Sequence, residues 1–156
     1  MLRVASVGSG SKGNATLVAS GETTLLIDCG FPAREMLSRL DHLGVDVSDI
    51  AAILVTHEHS DHVGGVAAIA KAAGAPIYAT HGTLVSGRLD GARAVVEIES
   101  DSVFAIGDIE VSAITVPHDA KEPVQYVFKH AAQCVGEPPG SGLEWAGPGP
   151  DEEATR

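Results

Sequence analysis

Short apolar runs alternate with turn residues from residue 2 to about residue 130 of the chain. Three early runs rich in valine, leucine and isoleucine predict β-strands: LRVASVG, ATLVAS and TTLLIDCG. The segments GSGSKGN and GE separate these runs and are typical of turns, because glycine, serine and asparagine suit tight backbone bends. Further runs of strand type follow: AAILVT, PIYAT, ARAVVEI, SVFAI, DIEVSAITV and PVQYVFK.

Two other stretches carry apolar residues at helical spacing. In AREMLSRLDHL, Met36, Leu40 and Leu43 share one helical face, Pro32 precedes the first turn and Gly44 supplies a C-terminal stop. The segment VAAIAKAAG predicts a second helix that Gly74 ends. Strands that alternate with helices indicate a fold of the α/β or α+β class.

The composition changes abruptly at residue 137. Residues 137–156 contain four of the eight prolines and four glycines and have no apolar periodicity, so we predict a disordered tail. Residues 1–136 then form a single domain, which suits a chain of 156 residues with 44% apolar content. The abrupt change after a pair of strand-like runs predicts a truncated or frame-shifted domain.

Net charge and cysteine usage restrict the location and the partners. The formal charge of -11 and the ten scattered Lys and Arg residues oppose nonspecific binding to nucleic acid or anionic lipid. The two cysteines, Cys29 and Cys134, belong to no CxxC pair and predict free thiols in the cytoplasm. The N-terminal sequence predicts neither a signal peptide nor a spanning helix, and no later run is long enough to cross a membrane.

The decapeptide THEHSDHVGG, residues 56–65, follows the apolar run AAILVT directly. His57 and His59 alternate on an extended or turning backbone, so their rings can project to the same side, and Asp61 and His62 come shortly after. Imidazole and carboxylate groups are preferred ligands of Zn²⁺. Two such pairs in one loop predict a site for one or two metal ions of a hydrolytic enzyme.

The motif T-H-E-H-S-D-H resembles the signature of the metallo-β-lactamase superfamily, and the resemblance extends to Asp28 in LLIDCG and to His118 in VPHD. More narrowly, the chain is similar to the YycJ/WalJ-type branch of cytoplasmic, exonuclease-like proteins that act on DNA. Four segments carry that narrower resemblance: SVGSGSKGN, LLIDCGF, THEHSDH and PHDAKEPVQYVF. The resemblance covers about residues 2 to 130.

The resemblance implies an αββα sandwich and a metal-dependent hydrolase that cuts the phosphodiester bonds of DNA with a metal-activated water. It assigns His57, His59 and His118 to the first metal. Asp61 and His62 contribute to a second, and Asp61 also orients the water or accepts its proton. Asp28 then orients a ligand loop through hydrogen bonds. Zn²⁺ is the implied cofactor, with Mn²⁺ as an alternative.

The chain departs from the family pattern after His118. Complete members have a later bridging aspartate and a final histidine, whereas only His130, Asp119 and Asp151 follow here, none of them in a similar context. We therefore expect only the first half of the sandwich plus a short extension. Apolar surface that the second half ordinarily covers would be exposed, which predicts marginal stability or self-association as a homo-oligomer.

Two other functions are compatible with these residues. A domain without the bridging carboxylate is expected to bind one metal, or none, and to have no catalytic activity, unless a second copy supplies the missing ligands. A thioester or lactam hydrolase of the same superfamily shares the metal-binding loop and differs only in its substrate-binding segments.

The early loop GSGSKGN is a weaker candidate for function. Its backbone amides could bind a phosphate with Lys12 adding charge, although a tight connection between two strands explains the glycines equally well. The loop lacks the P-loop pattern, so the sequence does not support nucleotide binding. We expect Glu58 to point away from the metals, Cys29 to be a buried apolar residue, and His42, His81 and His130 to be structural or solvent-facing.

Overall fold

The computed structural model describes residues 1–130 and the backbone of residues 133–137. This part of the chain contains four α-helices: α1 (Ala33–His42), α2 (Ser60–Val63), α3 (Val66–Ala73) and α4 (His81–Val85). A short 3-10 helix spans Val47–Asp49. The strands are β1 (Arg3–Gly8), β2 (Ala15–Ala19), β3 (Thr24–Ile27), β4 (Ile50–Leu54), β5 (Ile77–Thr80), β6 (Val95–Ile98), β7 (Ser102–Ile106), β8 (Ile109–Thr115), β9 (Val124–His130) and β10 (Gln133–Glu137).

The strands form two sheets. Sheet 1 has the order β1-β2-β3-β4-β5-β6, in which β1 to β3 pair antiparallel and β3 to β6 pair parallel. Sheet 2 has the order β10-β9-β8-β7 and is antiparallel throughout. The parallel pairing of β3 with β4 brings Ile27 opposite Leu54, so both strands end at the same edge of sheet 1.

Two apolar cores separate three layers. The first core joins α1 and α3 to sheet 1 and includes Met36, Ile69 and Ile53. The second lies between the two sheets and includes Leu54 and Phe128. Successive residues of a strand point to opposite faces of the sheet. The helices cover one face of sheet 1 and sheet 2 covers the other, so the central strands of sheet 1 are almost wholly buried. The predicted fold class is confirmed, with helices, sheet 1 and sheet 2 stacked in that order.

The predicted helices end at the expected residues. Gly44 and Gly74 both have a left-handed backbone, with φ of 72° and 68°, which only glycine adopts without strain. All the predicted strands are present, but β3 ends at Ile27 rather than at Gly30, because Asp28 has a φ of 62° and leaves the strand conformation. The pattern did not predict α2, α4, the 3-10 helix or β10, which are all only three to five residues long.

Exposed apolar side chains are few among the residues of known burial. Val103 on β7 is 62% exposed and Val85 on α4 is 57% exposed. Such isolated valines are ordinary on protein surfaces, so self-association stays a prediction. No helix in the described ranges is both long and apolar enough to cross a bilayer. Of the tail that the sequence predicts to be disordered, residues 137–156, Glu137 belongs to β10 and residues 138–156 lie outside the described residues.

Candidate metal centre

The candidate site lies beyond the ends of β3, β4 and β8. Asp28 follows β3, residues 57–62 follow β4, and His118 stands three residues after the end of β8. Ligand sites of open α/β sheets commonly lie outside the carboxyl ends of parallel strands, where loops from neighbouring strands meet. A hydrogen bond from the backbone N–H of Val124 to the carbonyl of Thr56, 3.0 Å long, ties the start of β9 to the same edge.

The structure brings His57, His59 and His118 together. Each offers a ring nitrogen, and these atoms lie within 4.8 Å of one another. Nε2 of His118 is 3.2 Å from Nε2 of His57, and the ring centroids of His59 lie 4.7 Å from His57 and 5.3 Å from His118. His57 is buried, His59 is half-buried and His118 is exposed, so the group opens from the protein interior to solvent.

The hydrogen bonds of His57 determine which of its ring nitrogens faces the group. Thr56 Oγ1 donates its single hydrogen to the carboxylate of Asp28 at 2.6 Å, so at 2.8 Å it must accept a hydrogen bond from Nδ1–H of His57. Nε2 of His57 then carries a lone pair. Burial lowers the pKa of His57 to about 3, with further lowering by the rings of His62, His118 and His59, so this imidazole is neutral at pH 7. A neutral imidazole is the form that binds a metal.

Asp28 is a buried carboxylate with three donors. It accepts hydrogen bonds from the backbone N–H of Thr56 at 2.7 Å, from Thr56 Oγ1, and from Nδ1 of His62 at 2.7 Å. Burial by itself lowers the pKa of His62, but the hydrogen bond and the charge of Asp28, with the charge of Asp61, outweigh it, and the net shift is upward. The left-handed backbone of Asp28 turns its side chain from the strand direction toward these partners.

Asp61 is held by a residue that sequence reasoning missed. Asn14 donates from its side-chain Nδ2 to the carboxylate Oδ2 and to the backbone carbonyl of Asp61, both at 3.1 Å. Its own backbone N–H donates to the same carbonyl at 2.7 Å. The Oδ2 atom of Asp61 lies 3.8 Å from Nε2 of His62, so these two side chains are adjacent. Asn14 is 43 residues or more from the histidines of the site in sequence, and its role appears only when β1 and β2 are folded.

Glycines allow the segment after β3 to touch the histidine loop. A Cβ atom on Gly30 would lie 1.9 Å from the carbonyl oxygen of Asp61, and a Cβ on Gly65 would lie 1.9 Å from the carbonyl oxygen of Phe31. The backbone of Cys29 bonds to both sides of the loop, donating to the carbonyl of His62 and accepting from the N–H of Gly65, each at 2.8 Å. The two segments are therefore in direct backbone contact, with no room for a side chain between them.

The loop that carries His118 is fixed by two glutamates. The carboxylate of Glu58 accepts from the backbone N–H of Lys121 at 3.0 Å, which links the histidine motif to the loop between β8 and β9. Glu122 accepts from the N–H of Gly82 and from Ser100 Oγ, each at 2.8 Å, and so ties the same loop to sheet 1. The side chain of Glu58 reaches this loop, while His57 and His59 on either side of it face one another.

A second group of possible ligands consists of Asp28, His57 and His62, whose ligand atoms also lie within 4.8 Å of one another. Asp28 already serves three hydrogen-bond donors, so its oxygens are better suited to orienting neighbours than to binding an ion. The three histidines of the first group turn ring nitrogens toward one another and have an exposed side, which is the donor set of a zinc site with an open position. The residues of this first group fit a metal ion.

The remaining side chains singled out by the sequence lie elsewhere. His42 contacts the carbonyl of Ser38, His81 contacts Glu97 on the surface, and His130 contacts Asp108. Cys29 is fully buried. Burial, together with a smaller contribution from the charge of Asp28, raises the pKa of its thiol to about 12, against a weaker lowering by a hydrogen bond with Phe31.

Comparison with known proteins gives one family. Residues 8–126 match the metallo-β-lactamase superfamily. Exodeoxyribonuclease YycJ of Bacillus anthracis is 33% identical over 126 residues, which are 77% of this chain and 47% of that protein. Exodeoxyribonuclease WalJ of Streptococcus pneumoniae is 33% identical over 127 residues, with the same coverage. The chain spans about half the length of the curated relatives it matches.

The solved structures agree on the fold. The metallo-β-lactamase fold protein YhfI from Bacillus subtilis superposes with a TM-score of 0.73 and 20% sequence identity. The superposition covers 86% of this chain and 60% of that one. At this level of identity the likeness concerns the arrangement of sheets and helices.

Proposed function

The chain belongs to the metallo-β-lactamase superfamily, and on that premise we propose that it hydrolyses phosphodiester bonds of DNA in the manner of an exonuclease. The observation that carries the proposal is the convergence of ring nitrogens from His57, His59 and His118 at the edge of sheet 1. The names of the two exodeoxyribonuclease relatives support DNA as the substrate.

Proteins of this superfamily use metal ions, and we propose that the three histidines hold one ion here, Zn²⁺ first and Mn²⁺ as the alternative. When bound, the metal supplies Lewis-acid activation of a water molecule, which is the nucleophile of the hydrolysis. Thr56 keeps Nε2 of His57 directed at the group, and burial keeps that ring neutral. Asp28 performs the same orienting task for His62, whose Nδ1 it holds at 2.7 Å.

Asp61 is proposed to orient the attacking water or accept its proton, and to contribute with His62 to a second metal position. Asn14 anchors the backbone carbonyl of Asp61 and its carboxylate oxygen Oδ2, which leaves the other carboxylate oxygen, Oδ1, for the water. The distance of 3.8 Å between Oδ2 of Asp61 and Nε2 of His62 is compatible with two ligands of one ion. Two protein ligands give only weak binding, so this position depends on further groups.

The test is a nuclease assay on purified protein supplied with Zn²⁺ or Mn²⁺, using end-labelled single-stranded and duplex DNA. We expect stepwise release of nucleotides from an end by wild type and by His81→Ala, a surface histidine outside the site. His59→Ala should lose that activity. Activity that survives His59→Ala comes from a contaminant or from another site, and it would contradict the proposal. Hydrolysis of a thioester or a β-lactam with no action on DNA would assign the chain to that chemistry instead.

A non-catalytic domain with a single metal is the second candidate. Asp28 already accepts hydrogen bonds from three donors, so it is poorly suited to bind a second ion. In the described part of the chain, only Asp61 and His62 then remain beside the three-histidine group as ligands for a second ion, which favours this candidate. Metal content measured by mass spectrometry separates the two proposals. Two ions per chain with nucleotide release support the nuclease, and at most one ion without hydrolysis supports the binding domain.

A further inference from the structure

A cavity of about 360 Å³ adjoins Asp61 on the side of the early glycine-rich loop. We call residues 8–13, GSGSKG, the glycine loop. Ser11 and Lys12 of this loop line the cavity together with Ser60 and Asp61 of α2. The cavity therefore joins the glycine loop to the edge of the candidate metal centre.

The glycine loop is held in place by packing and by hydrogen bonds. Cβ atoms on Gly8 and Gly13 would lie 2.4 Å and 2.5 Å from the ring of Phe31, so the loop backbone rests directly on that ring. Asn14 closes the loop by accepting from the N–H of Gly10 at 3.0 Å and donating to its carbonyl at 2.8 Å. Because Asn14 also binds Asp61, the position of the loop relative to Asp61 is set before any ligand arrives.

A tight connection between β1 and β2 explains the glycines of the loop but not Ser11 and Lys12, which are both exposed. Lys12 is the one cation among the described residues that line this cavity, and it forms no ion pair within the described part of the chain. The nearby Arg39 is already engaged by Glu35, by the carbonyl of Val7 and by the ring of Phe31. An unpaired ammonium group in a chain of net charge -11 is therefore available to an anion.

We propose that this cavity binds a phosphate of the nucleic acid strand, next to the phosphate that is cut, through the Lys12 ammonium and the hydroxyls of Ser11 and Ser60. The proposal rests on the proposed function, since it adds a subsite to the same centre. A point charge and hydroxyl donors on a fixed loop are suited to a phosphodiester without regard to base sequence. Asp61 is the acidic residue in the cavity wall, and its Oδ2 accepts a hydrogen bond from Asn14, which reduces its repulsion of the phosphate.

The experiment measures binding separately from turnover. A fluorescently labelled single-stranded oligonucleotide is titrated with wild type, Lys12→Gln and Lys129→Gln in EDTA at several salt concentrations, and anisotropy gives Kd. Lys129 is an exposed lysine on β9 and serves as the matched control. Removing one phosphate contact on a single strand should weaken binding about tenfold and reduce the slope of log Kd against log salt by about 0.7. Thermal melting checks that each variant is folded.

The outcomes distinguish a failure of the proposed phosphate subsite from a failure of the proposed nuclease activity. The subsite is supported if Lys12→Gln lowers the salt slope and Lys129→Gln does not, and this result holds even if the chain turns over no DNA. It is overturned if Lys12→Gln and Lys129→Gln have equal slopes, or if wild type binds no strand at all. Affinities are also compared for oligonucleotides with and without a 5′-terminal phosphate. Equal affinities indicate that the bound group is an internal diester, and tighter binding of the phosphorylated strand indicates that it is the strand end.

Discussion

Oδ2 of Asp28 lies 2.7 Å from Nδ1 of His62, and the same buried carboxylate accepts hydrogen bonds from the hydroxyl and the backbone N–H of Thr56. Through Thr56 the carboxylate of Asp28 also determines the tautomer of His57. One carboxylate therefore orients the rings of both His57 and His62. Its side chain turns toward these partners because Asp28 adopts a φ of 62° immediately after β3.

Replacing Asp28 with Asn should weaken metal binding. The amide has one acceptor oxygen in place of two, and its NH₂ group opposes the donors of Thr56 or His62. We expect the Zn²⁺ affinity to fall about 10- to 100-fold, as is usual when a partner of a metal ligand is lost. Competition with a chromophoric chelator measures this. The exposed Asp41→Asn is the control, and an equal affinity for the two variants would argue against an orienting role of Asp28.

A methyl group on Gly30 should displace the histidine loop. Its Cβ would lie 1.9 Å from the carbonyl oxygen of Asp61, and a backbone atom cannot yield as a flexible side chain can. We expect Gly30→Ala to lose about 3 kcal/mol or more of unfolding free energy in urea. Gly21→Ala has no atom within 4 Å of the added methyl and should leave stability almost unchanged. Equal stability of the two variants would disprove the close contact.

Tyr126 supports the end of β4 from sheet 2. Its hydroxyl donates to the carbonyl of Val55 at 2.6 Å, and the whole side chain is buried. Tyr126→Phe leaves that buried acceptor without its donor, which should cost about 1–3 kcal/mol of unfolding free energy. The hydroxyl of Tyr78 has no hydrogen bond with any described residue, so Tyr78→Phe is the matched control. A loss no greater for Tyr126→Phe than for Tyr78→Phe would count against the bond.

The thiol of Cys29 should resist alkylation in the folded protein. Burial raises its pKa to about 12, so near pH 8 only about one thiol in ten thousand is ionised, and the side chain has no exposed surface. In a Cys134→Ser background we expect iodoacetamide to label Cys29 slowly without denaturant and completely in guanidinium chloride. Mass spectrometry measures both rates, and fast labelling of the folded protein would show that Cys29 is accessible.

The parts of the centre whose residues are close together in sequence could be predicted from local patterns. Alternation places His57 and His59 on one side of a turning backbone, and Gly44 and Gly74 mark helix ends through a conformation that favours glycine. His118 is 61 residues from His57, and only the resemblance to a known family assigned it to the same group. The structure brings the two rings together, as that resemblance implied.

The supporting residues could not be predicted because their partners are distant in sequence. Asn14 meets Asp61 across 47 residues, and Glu58 meets Lys121 across 63. Neither pair has a spacing or composition that signals a contact, since both depend on how β1, β4 and β8 are arranged in two sheets. The short helices α2 and α4 were missed for another reason, because four or five residues are too few to show a helical period.

Direct titration with Zn²⁺ tests the shared histidine site most simply. Metal-free wild type, His118→Ala and His81→Ala are compared by competition with a chelator of known affinity, and His118 is exposed, so its replacement should leave the fold intact. We expect wild type and His81→Ala to bind one ion with the same affinity, and His118→Ala to bind it about 100-fold more weakly. If His118→Ala binds Zn²⁺ as tightly as wild type, then His57, His59 and His118 do not hold one ion together.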